Sequence, residues 1–295
     1  MVTALLAAAA LAAAAAAAPA PQAPPPAAAP YVIPRTAVTT LSAADGTPYR
    51  LFAAWPDGVP PATGWPLLVV LDGADNFAVT VESLRRMARG GRSGIAEGVV
   101  IGIDSGTVAR RVLDYTPAVP GYAIPAGLPA AGRAIGGADA FLGFVEGRVL
   151  PWVAGEWPTD PNRRTIAGHS FGGLLALHAA ATRPGLFARH AAISPSLWYG
   201  DGAAAREAAA IAQPAHLFLA AGTAERGPGG DTPAAIEAVA GAIRAHGGDV
   251  RTLPIVGQGH GTTMLAATGP LIAFAFGEPP ALSRSRPHPP ARTAP

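Results

Sequence analysis

The chain has 295 residues, of which 50% are hydrophobic and 14% charged, with a formal net charge of +2 at pH 7 and no cysteine. A chain of this length and polarity can bury a sizeable core in one or two domains. The lack of cysteine excludes disulfides, a cysteine-based metal site and a thiol nucleophile. Three of the arginines follow residue 283, so residues 1–283 carry a net charge of −1 and give no reason to expect nucleic-acid binding.

The two ends of the chain differ in composition from the middle. Residues 2–18 form an apolar, alanine-rich run that suits the core of a secretory signal, although no Lys or Arg precedes it. We predict a signal peptide over residues 1–20, a Pro/Ala-rich linker over 21–30, one domain over 31–277 and a disordered tail over 278–295. The alternative for the first segment is a low-complexity alanine tract. Export predicts a periplasmic or secreted protein without stable membrane insertion once the signal is removed.

Within the middle of the chain, short apolar runs alternate with helical patterns. The predicted strands are 36–41, 49–55, 66–72, 98–104, 163–168, 190–196, 215–222 and 250–256. The predicted helices are 77–90, 138–154, 171–182, 203–211, 233–246 and 262–276. The first two strands are expected to pair antiparallel, because a turn around Asp45 separates them, and the later runs are of the buried parallel kind. The order predicts an α/β fold with a mostly parallel central sheet of about eight strands and helices on both faces.

One connection is too long for an ordinary loop. Residues 105–137 are rich in Gly and Pro, and no strand is predicted within them. Long connections in compact domains usually serve as lids or binding loops. We therefore expect this segment to lie over a functional site.

A serine stands between two glycines where a predicted strand meets a predicted helix. Gly168, Ser170 and Gly172 form the pattern G-x-S-x-G in the strand–turn–helix context that this motif requires. We expect the glycines to keep neighbouring backbone clear of a tight turn from which Ser170 projects as a nucleophile. The N-terminus of the following helix would favour a negative charge beside it.

A nucleophilic serine needs a base, and His260 is the best placed of the seven histidines. It lies in the Gly-rich stretch 257–261, after the last predicted strand and before the last predicted helix. A base late in the chain agrees with the order serine, acid, histidine. We therefore predict that His260 accepts the proton of Ser170.

The residues leave more than one candidate for the acid that orients this base. Glu225 follows a predicted strand by three residues and lies between the serine and the histidine in the chain. Asp231 is a rival in the same Gly-rich loop, and Asp201 is a weaker one. A solvated role for Glu225, and a Ser–His dyad without an acid, also stay open.

Stabilisation of the oxyanion needs two backbone donors. The N–H of Phe171 follows the serine directly, and the second donor is expected from the loop after strand 66–72, at Gly73 or Ala74. The alternative for that second loop is an ordinary turn at a strand end.

With these pieces placed, the chain resembles the enterochelin-esterase-like branch of the α/β-hydrolase superfamily, which includes periplasmic siderophore trilactone esterases. The stretches that carry the resemblance are 99–104, 110–118, 136–153, 163–179, 187–200 and 257–261, in the family's order. The serine motif alone is not specific. Its combination with D-Y-T-P at 114–117 and S-P-S-L at 194–197 is much more so.

The resemblance implies an α/β-hydrolase fold, Ser170 as nucleophile and His260 as base. It also suggests that Arg111 faces the substrate, where a guanidinium would attract a ferric catecholate, with a structural ion pair as the alternative. Trp198 and Tyr199 are candidates for the substrate pocket or for packing beneath a lid. Glu225 matches the family's G-x-x-E pattern, but members of the family differ on whether an acid completes the triad.

The expected function is therefore that of a serine carboxylic-ester hydrolase acting by an acyl-enzyme route on a small-molecule ester. The resemblance makes a siderophore trilactone or related catechol ester the first candidate. A feruloyl, acetyl or thioester substrate is the enzymatic alternative, and a binding module without catalysis is the non-enzymatic one. No metal or organic cofactor is implied.

Overall fold

The computed structural model describes residues 29–90, 93–212 and 215–277. The predicted signal peptide, most of the predicted linker and the predicted tail lie outside the described residues. Residues 29–33 contain neither helix nor strand. The remainder, from Pro34 onward, forms one compact unit.

In the part of the chain that the structure describes, eight strands form one sheet in the order β1-β2-β4-β3-β5-β6-β7-β10. They are β1 Thr36–Ser42, β2 Pro48–Ala54, β3 Trp65–Leu71, β4 Val99–Asp104, β5 Thr159–His169, β6 Arg189–Ile193, β7 His216–Gly222 and β10 Asp249–Ile255. A separate two-residue ladder joins β8 Arg226–Gly227 to β9 Gly230–Asp231. The number of strands in the main sheet agrees with the sequence prediction.

The sheet is antiparallel at one side and parallel over the rest. Strand β2 pairs antiparallel with both β1 and β4, whereas every other neighbouring pair is parallel. The central strand β3 is buried along six of its seven residues, as expected for a strand covered on both faces. The mostly parallel α/β fold predicted from the alternation is therefore confirmed.

Eight α-helices accompany these strands in the described part of the chain. They are α1 Gly73–Ala88, α2 Val108–Tyr115, α3 Ala138–Phe144, α4 Leu150–Glu156, α5 Phe171–Thr182, α6 Ala203–Ala209, α7 Thr232–Ala245 and α8 His260–Phe276. A π-helical turn, Val145–Val149, joins α3 to α4. Within the described ranges, none of the helices has the length and apolarity that crossing a bilayer would require.

The helices cover both faces of the sheet, as side-chain alternation along β7 shows. Leu217 and Leu219 pack in one apolar cluster with Val239 of α7. Phe218, which lies between them, stacks instead on Phe274 of α8, with ring centroids 5.6 Å apart. Because successive side chains of a strand point to opposite faces, α7 and α8 lie on opposite sides of the sheet.

The long connection over residues 105–137 is not the uninterrupted loop that its Gly/Pro content predicted. Helix α2 occupies Val108–Tyr115, and the side chain of Thr107 caps it by accepting a hydrogen bond from the N–H of Arg110 at 3.1 Å. The cap and the apolar residues of one helix face are sufficient for a helix here, because all the glycines and prolines of the stretch except Gly106 follow Tyr115. The following irregular stretch packs onto the body, since the carbonyl of Pro117 accepts a hydrogen bond from buried Tyr199.

Candidate active site

The turn between β5 and α5 holds Ser170 in an unusual backbone conformation. Its φ of 60° and ψ of −118° lie outside the regions that L-residues ordinarily adopt. The N–H of Ser170 donates to the carbonyl of Ile193 at 3.0 Å, and the carbonyl of Ser170 accepts from the N–H of Ser196 at 3.2 Å. The strained turn is therefore held by hydrogen bonds to the neighbouring strand β6 and to the segment after it.

Close backbone contacts restrict two glycines around this turn, Gly168 and Gly173, of which the motif indicated only Gly168. A Cβ on Gly168 would lie 2.4 Å from the carbonyl carbon of Gly172, so this position excludes a side chain. A Cβ on Gly172 itself would lie 3.5 Å from Leu71, which is ordinary contact, so the prediction for Gly172 was wrong. The tight position is instead Gly173, where a Cβ would lie 3.0 Å from the carbonyl oxygen of Ile193.

The structure brings three of the predicted site residues into one line of hydrogen bonds. Oγ of Ser170 lies 3.1 Å from Nε2 of His260, which is the first residue of α8. Nδ1 of the same ring lies 3.2 Å from Oε2 of Glu225. Because a carboxylate only accepts, Nδ1 carries the proton and Nε2 is free to accept from the serine hydroxyl. The arrangement has the geometry that activates a serine.

Glu225 is buried, with 2% of its surface exposed, and its other oxygen is fully engaged. Oε1 accepts hydrogen bonds from Oγ of Ser194 at 2.5 Å, from Oγ1 of Thr263 at 2.6 Å and from the N–H of Gly222 at 2.9 Å. Burial by itself raises the pKa of Glu225, but the hydrogen bonds from His260 and these three donors lower it to about 2. The group is therefore a carboxylate with one oxygen left for His260.

The rival acids lie elsewhere. The carboxylate of Asp231 caps α7 by accepting the N–H of Ala234 at 3.0 Å. Asp201 is an exposed residue with a left-handed backbone, and no contact with His260 is found for it within the described residues. The order of residues in the chain did not distinguish Glu225 from Asp231 and Asp201. The contact between Glu225 and His260 in the folded chain does.

Two residues beside the line were not identified from the sequence. Nε2–H of His169 donates to the carbonyl oxygen of His260 at 2.9 Å, and the two rings lie 4.5 Å apart. Burial, together with the neighbouring His260, lowers the pKa of His169 to about 4, so its ring is neutral near pH 7. Oγ of Ser196, a buried hydroxyl, lies 3.4 Å from Oγ of Ser170. The S-P-S-L motif marks Ser194 and Ser196 in the sequence but does not reveal these contacts.

The predicted oxyanion donors occupy the first turns of two helices. Phe171 is the first residue of α5 and lines the same cavity as Ser170, whereas Gly73 and Ala74 open α1. First-turn N–H groups have no partner within their own helix. A Cβ on Gly73 would lie 2.8 Å from the carbonyl carbon of Gly102, so this glycine is required for the packing of α1 on β4. Ala74 lines a neighbouring cavity with Arg111 and His169.

Arg111 is held in an ion pair at the edge of the site. Its Nε and Nη2 donate to the two carboxylate oxygens of Asp72 at 2.5 and 2.8 Å, and Nη2 also donates to the carbonyl of His169 at 3.2 Å. Asp114, a carboxylate on the same helix, pairs with Arg110 instead. Arg111 still lines the cavity at Ser170, but its charge is balanced there by Asp72.

A cavity of about 460 Å³ opens above Ser170. Trp198 lines it, as do Pro129 and Ala130 of the long connection. Tyr199 does not reach it: this side chain is completely buried and donates its hydroxyl to the carbonyl of Pro117 at 2.8 Å. The predicted substrate contact for Tyr199 was therefore wrong, because the ring supports the long connection from beneath.

Comparison with known proteins agrees with this geometry. Residues 42–241 match the model of a family described as "Putative esterase". The siderophore triacetylfusarinine C esterase of Aspergillus fumigatus is 33% identical over 194 residues, which cover 62% of this chain and 63% of that protein. The ferri-bacillibactin esterase of Bacillus subtilis is 29% identical over 212 residues, which cover 66% of this chain and 73% of that protein.

A solved structure extends the similarity beyond the matched sequence. The siderophore hydrolase EstB from Aspergillus nidulans superposes with a TM-score of 0.71 and 25% identity, covering 86% of this chain and 99% of that chain. The α/β-hydrolase fold expected from the motifs is thereby confirmed.

Proposed function

This chain belongs to the family described as "Putative esterase", and from that premise we propose that it hydrolyses carboxylic esters with Ser170 as the nucleophile. The observation that carries the proposal is the line of hydrogen bonds from Ser170 through His260 to Glu225 at the wall of an open cavity. The same line argues against a binding module without catalysis, which would have no need of it.

The proposed reaction forms and then hydrolyses an acyl-enzyme. Oγ of Ser170 attacks the ester carbonyl carbon while Nε2 of His260 takes its proton. The tetrahedral intermediate collapses, the C–O bond to the alcohol breaks, and the imidazolium returns the proton to the leaving alcohol. A water then attacks the acyl-enzyme, with His260 again as base, and releases the acid and free Ser170. Glu225, a carboxylate of pKa about 2, stabilises the imidazolium throughout.

The negative charge that develops on the carbonyl oxygen needs donors close to Ser170. The N–H of Phe171 is the first donor in this proposal, and its position at the start of a 12-residue helix adds the favourable end of the helix dipole. The second donor is proposed at Ala74 or Gly73, at the start of α1. No side chain of the described residues is required for this step.

For the substrate, we propose a siderophore ester. The support comes from three similar proteins: a siderophore triacetylfusarinine C esterase, a ferri-bacillibactin esterase and a siderophore hydrolase of known structure. The cavity at Ser170 is of a size common for small-molecule sites, about 300–1,000 Å³. Feruloyl, acetyl and thioester substrates are the alternatives that the experiment must separate.

Two measurements test the proposal. A fluorophosphonate probe should label the wild-type protein and not Ser170→Ala, and the hydrolysis of p-nitrophenyl acetate, methyl ferulate and a catechol-serine trilactone should depend on Ser170. Folded protein without labelling would refute the serine mechanism. Labelling with turnover of only the small esters would retain the mechanism and exclude the siderophore substrate.

We further propose that residues 1–20 direct export, which the composition of this segment supports. The full chain with a C-terminal tag should then appear in the periplasm or medium with a new N-terminus near residue 20. A cytoplasmic protein that retains Met1 would contradict export.

A further inference from the structure

A second cavity adjoins the one at Ser170. It measures about 430 Å³, and we call it the side cavity; six of its lining residues define it: Tyr122, Leu128, Leu197, Trp198, Asp201 and Asp231. Trp198 also lines the cavity at Ser170, and so do Pro195 and Pro228. The two cavities therefore share a wall within one residue of Ser196, which itself contacts Ser170.

The lining of the side cavity is mainly apolar and partly aromatic. Tyr122 and Trp198 contribute ring surfaces, and leucine, proline and alanine side chains supply most of the rest. Such a surface favours a flat, apolar group, because both dispersion and the removal of apolar area from water contribute to its binding. The proposed reaction uses none of these side chains, and three of them (Pro195, Trp198 and Pro228) also line the cavity at Ser170.

The charged groups of the side cavity are both carboxylates. Asp231 lies 3.6 Å from Nη2 of Arg226, so that carboxylate is partly balanced. For the carboxylate of Asp201, no ion pair is found in the described part of the chain. Arg206 donates to its main-chain oxygen at 3.1 Å but does not line the cavity. An anionic group entering here would meet like charge and no unbalanced cation.

We propose that the side cavity is a second substrate subsite, which receives an aromatic arm without negative charge while another part of the same ester lies at Ser170. The proposal rests on the proposed esterase function and extends it by naming the class of arm: an uncharged aromatic acyl group. A multi-armed trilactone meets this requirement, since a neighbouring arm can enter the side cavity while one ester bond is attacked. The assignment rests on the wall that the two cavities share, on the volume of the side cavity and on its two carboxylates.

The test compares three esters on wild type and on filled-cavity variants. The esters are p-nitrophenyl acetate, a serine trilactone with N-benzoyl arms, and the matched trilactone with N-(4-carboxybenzoyl) arms. Ala205 of α6 lines the side cavity but not the cavity at Ser170. Ala205→Phe therefore fills the side cavity and leaves the cavity at Ser170 open. Ala235→Leu on α7 fills it from another wall. Ala210→Phe, at an exposed position just after α6, is the matched control.

The measured quantity is kcat/KM for the benzoyl trilactone divided by kcat/KM for p-nitrophenyl acetate. We expect a fall of at least tenfold in this ratio for Ala205→Phe and Ala235→Leu, and less than twofold for Ala210→Phe. For wild type, kcat/KM for the carboxylated trilactone should be at least tenfold lower than kcat/KM for the benzoyl trilactone. Asp201→Asn should reduce the ratio of these two values at least threefold.

The outcomes distinguish failure of the proposed subsite from failure of the proposed esterase function. Fluorophosphonate labelling and turnover of p-nitrophenyl acetate, combined with an unchanged ratio in whichever filled variant folds, would overturn the subsite and leave the esterase intact. Equal cleavage of the two trilactones, or no cleavage of the benzoyl trilactone, would also overturn the subsite. No labelling and no turnover above Ser170→Ala would overturn both.

Discussion

Two pairs of a histidine and a carboxylate lie along helix α5, and their surroundings differ. At its N-terminal end, Ser170 lies 3.1 Å from His260, whose other nitrogen lies 3.2 Å from Glu225. Two turns further on, His178 of the helix itself has Nδ1 3.0 Å from Glu207 and Nε2 3.3 Å from Asp139. Both are imidazoles paired with carboxylates, but only the first has a serine hydroxyl on its second ring nitrogen, and His260 lines the cavity at Ser170, whereas His178 does not.

The comparison shows that the partner of the second ring nitrogen decides whether a histidine–carboxylate pair can serve as a base. In the His178 pair, carboxylates face both ring nitrogens. Burial lowers the pKa of His178, but the hydrogen bonds and charges of Glu207 and Asp139 prevail and raise it. That favours a charged, structural imidazolium between α5, α6 and α3. In the His260 pair, Nε2 faces Ser170 instead and can accept its proton.

The largest expected effect comes from removing each imidazole in turn. His260→Gln should lower kcat for p-nitrophenyl acetate by at least about 10³-fold, because no base then takes the proton of Ser170. His178→Gln should change the same kcat by less than about threefold, since the residue contacts neither Ser170 nor the cavity. Steady-state hydrolysis of the two variants beside wild type checks both values.

Folding must be verified for that comparison, and near-ultraviolet circular dichroism is sufficient. A His260→Gln variant that retains activity within tenfold of wild type would show that the base is elsewhere. A loss in His178→Gln as deep as in His260→Gln would show that the second pair also serves the reaction.

The next effect concerns the acid of the first pair. Glu225→Gln should reduce kcat by about 10²- to 10⁴-fold, because the amide neither fixes the tautomer of His260 nor balances the imidazolium. The three donors Ser194, Thr263 and Gly222 hold the amide oxygen at the Oε1 position, so the NH₂ group faces Nδ1 of His260 and favours the wrong tautomer of the ring. The measurement is kcat between pH 6 and 9.

Asp231→Asn is the matched control for this substitution. Asparagine caps helices about as well as aspartate, so α7 keeps its cap and only the charge is lost. Activity on p-nitrophenyl acetate that follows Asp231 rather than Glu225 would move the acid to the rival residue. Equal activity of Glu225→Gln and wild type would favour a Ser–His dyad.

A smaller effect tests the turn that precedes α5. Gly168→Ala should lower the free energy of unfolding by about 2 kcal/mol or more, because its Cβ would lie 2.4 Å from backbone that cannot move away cheaply. Gly172→Ala should stay within about 1 kcal/mol of wild type, since its Cβ meets Leu71 at 3.5 Å and alanine favours the helix. Urea unfolding of both variants, read as the midpoint and slope, provides the comparison. A destabilised Gly172→Ala beside an unaffected Gly168→Ala would reverse the assignment.

The course of the chain was predictable where local pattern and packing agree. Apolar runs such as β3 and β7 are buried on both faces, so their period and composition suffice, and the serine motif is defined by the strand and helix that flank it. The pairing of Glu225 with His260 was not decidable, because three acids follow the serine at plausible places and only the fold shows which reaches the ring. Helix α2 was missed because glycines and prolines later in the same stretch dominated its composition. Tyr199 was misassigned because the sequence does not show what lies above it.

The smallest effect is a pH dependence that distinguishes the second pair from the first. The pKa of His178 is raised by folding, so its stabilisation is fully present below the unfolded value of 6.5 and is lost as the pH rises through the folded pKa. The pKa of Glu225 is lowered to about 2, so its contribution is present above 4.5 and is lost as the pH falls toward 2. Between pH 5.5 and 9, the contribution of His178 to stability changes and that of Glu225 does not. His178→Gln should therefore be less stable than wild type by about 1 kcal/mol at pH 5.5, and the difference should shrink toward pH 9. Urea unfolding of both proteins across that range measures it, and a difference that grows with pH would contradict a charged His178.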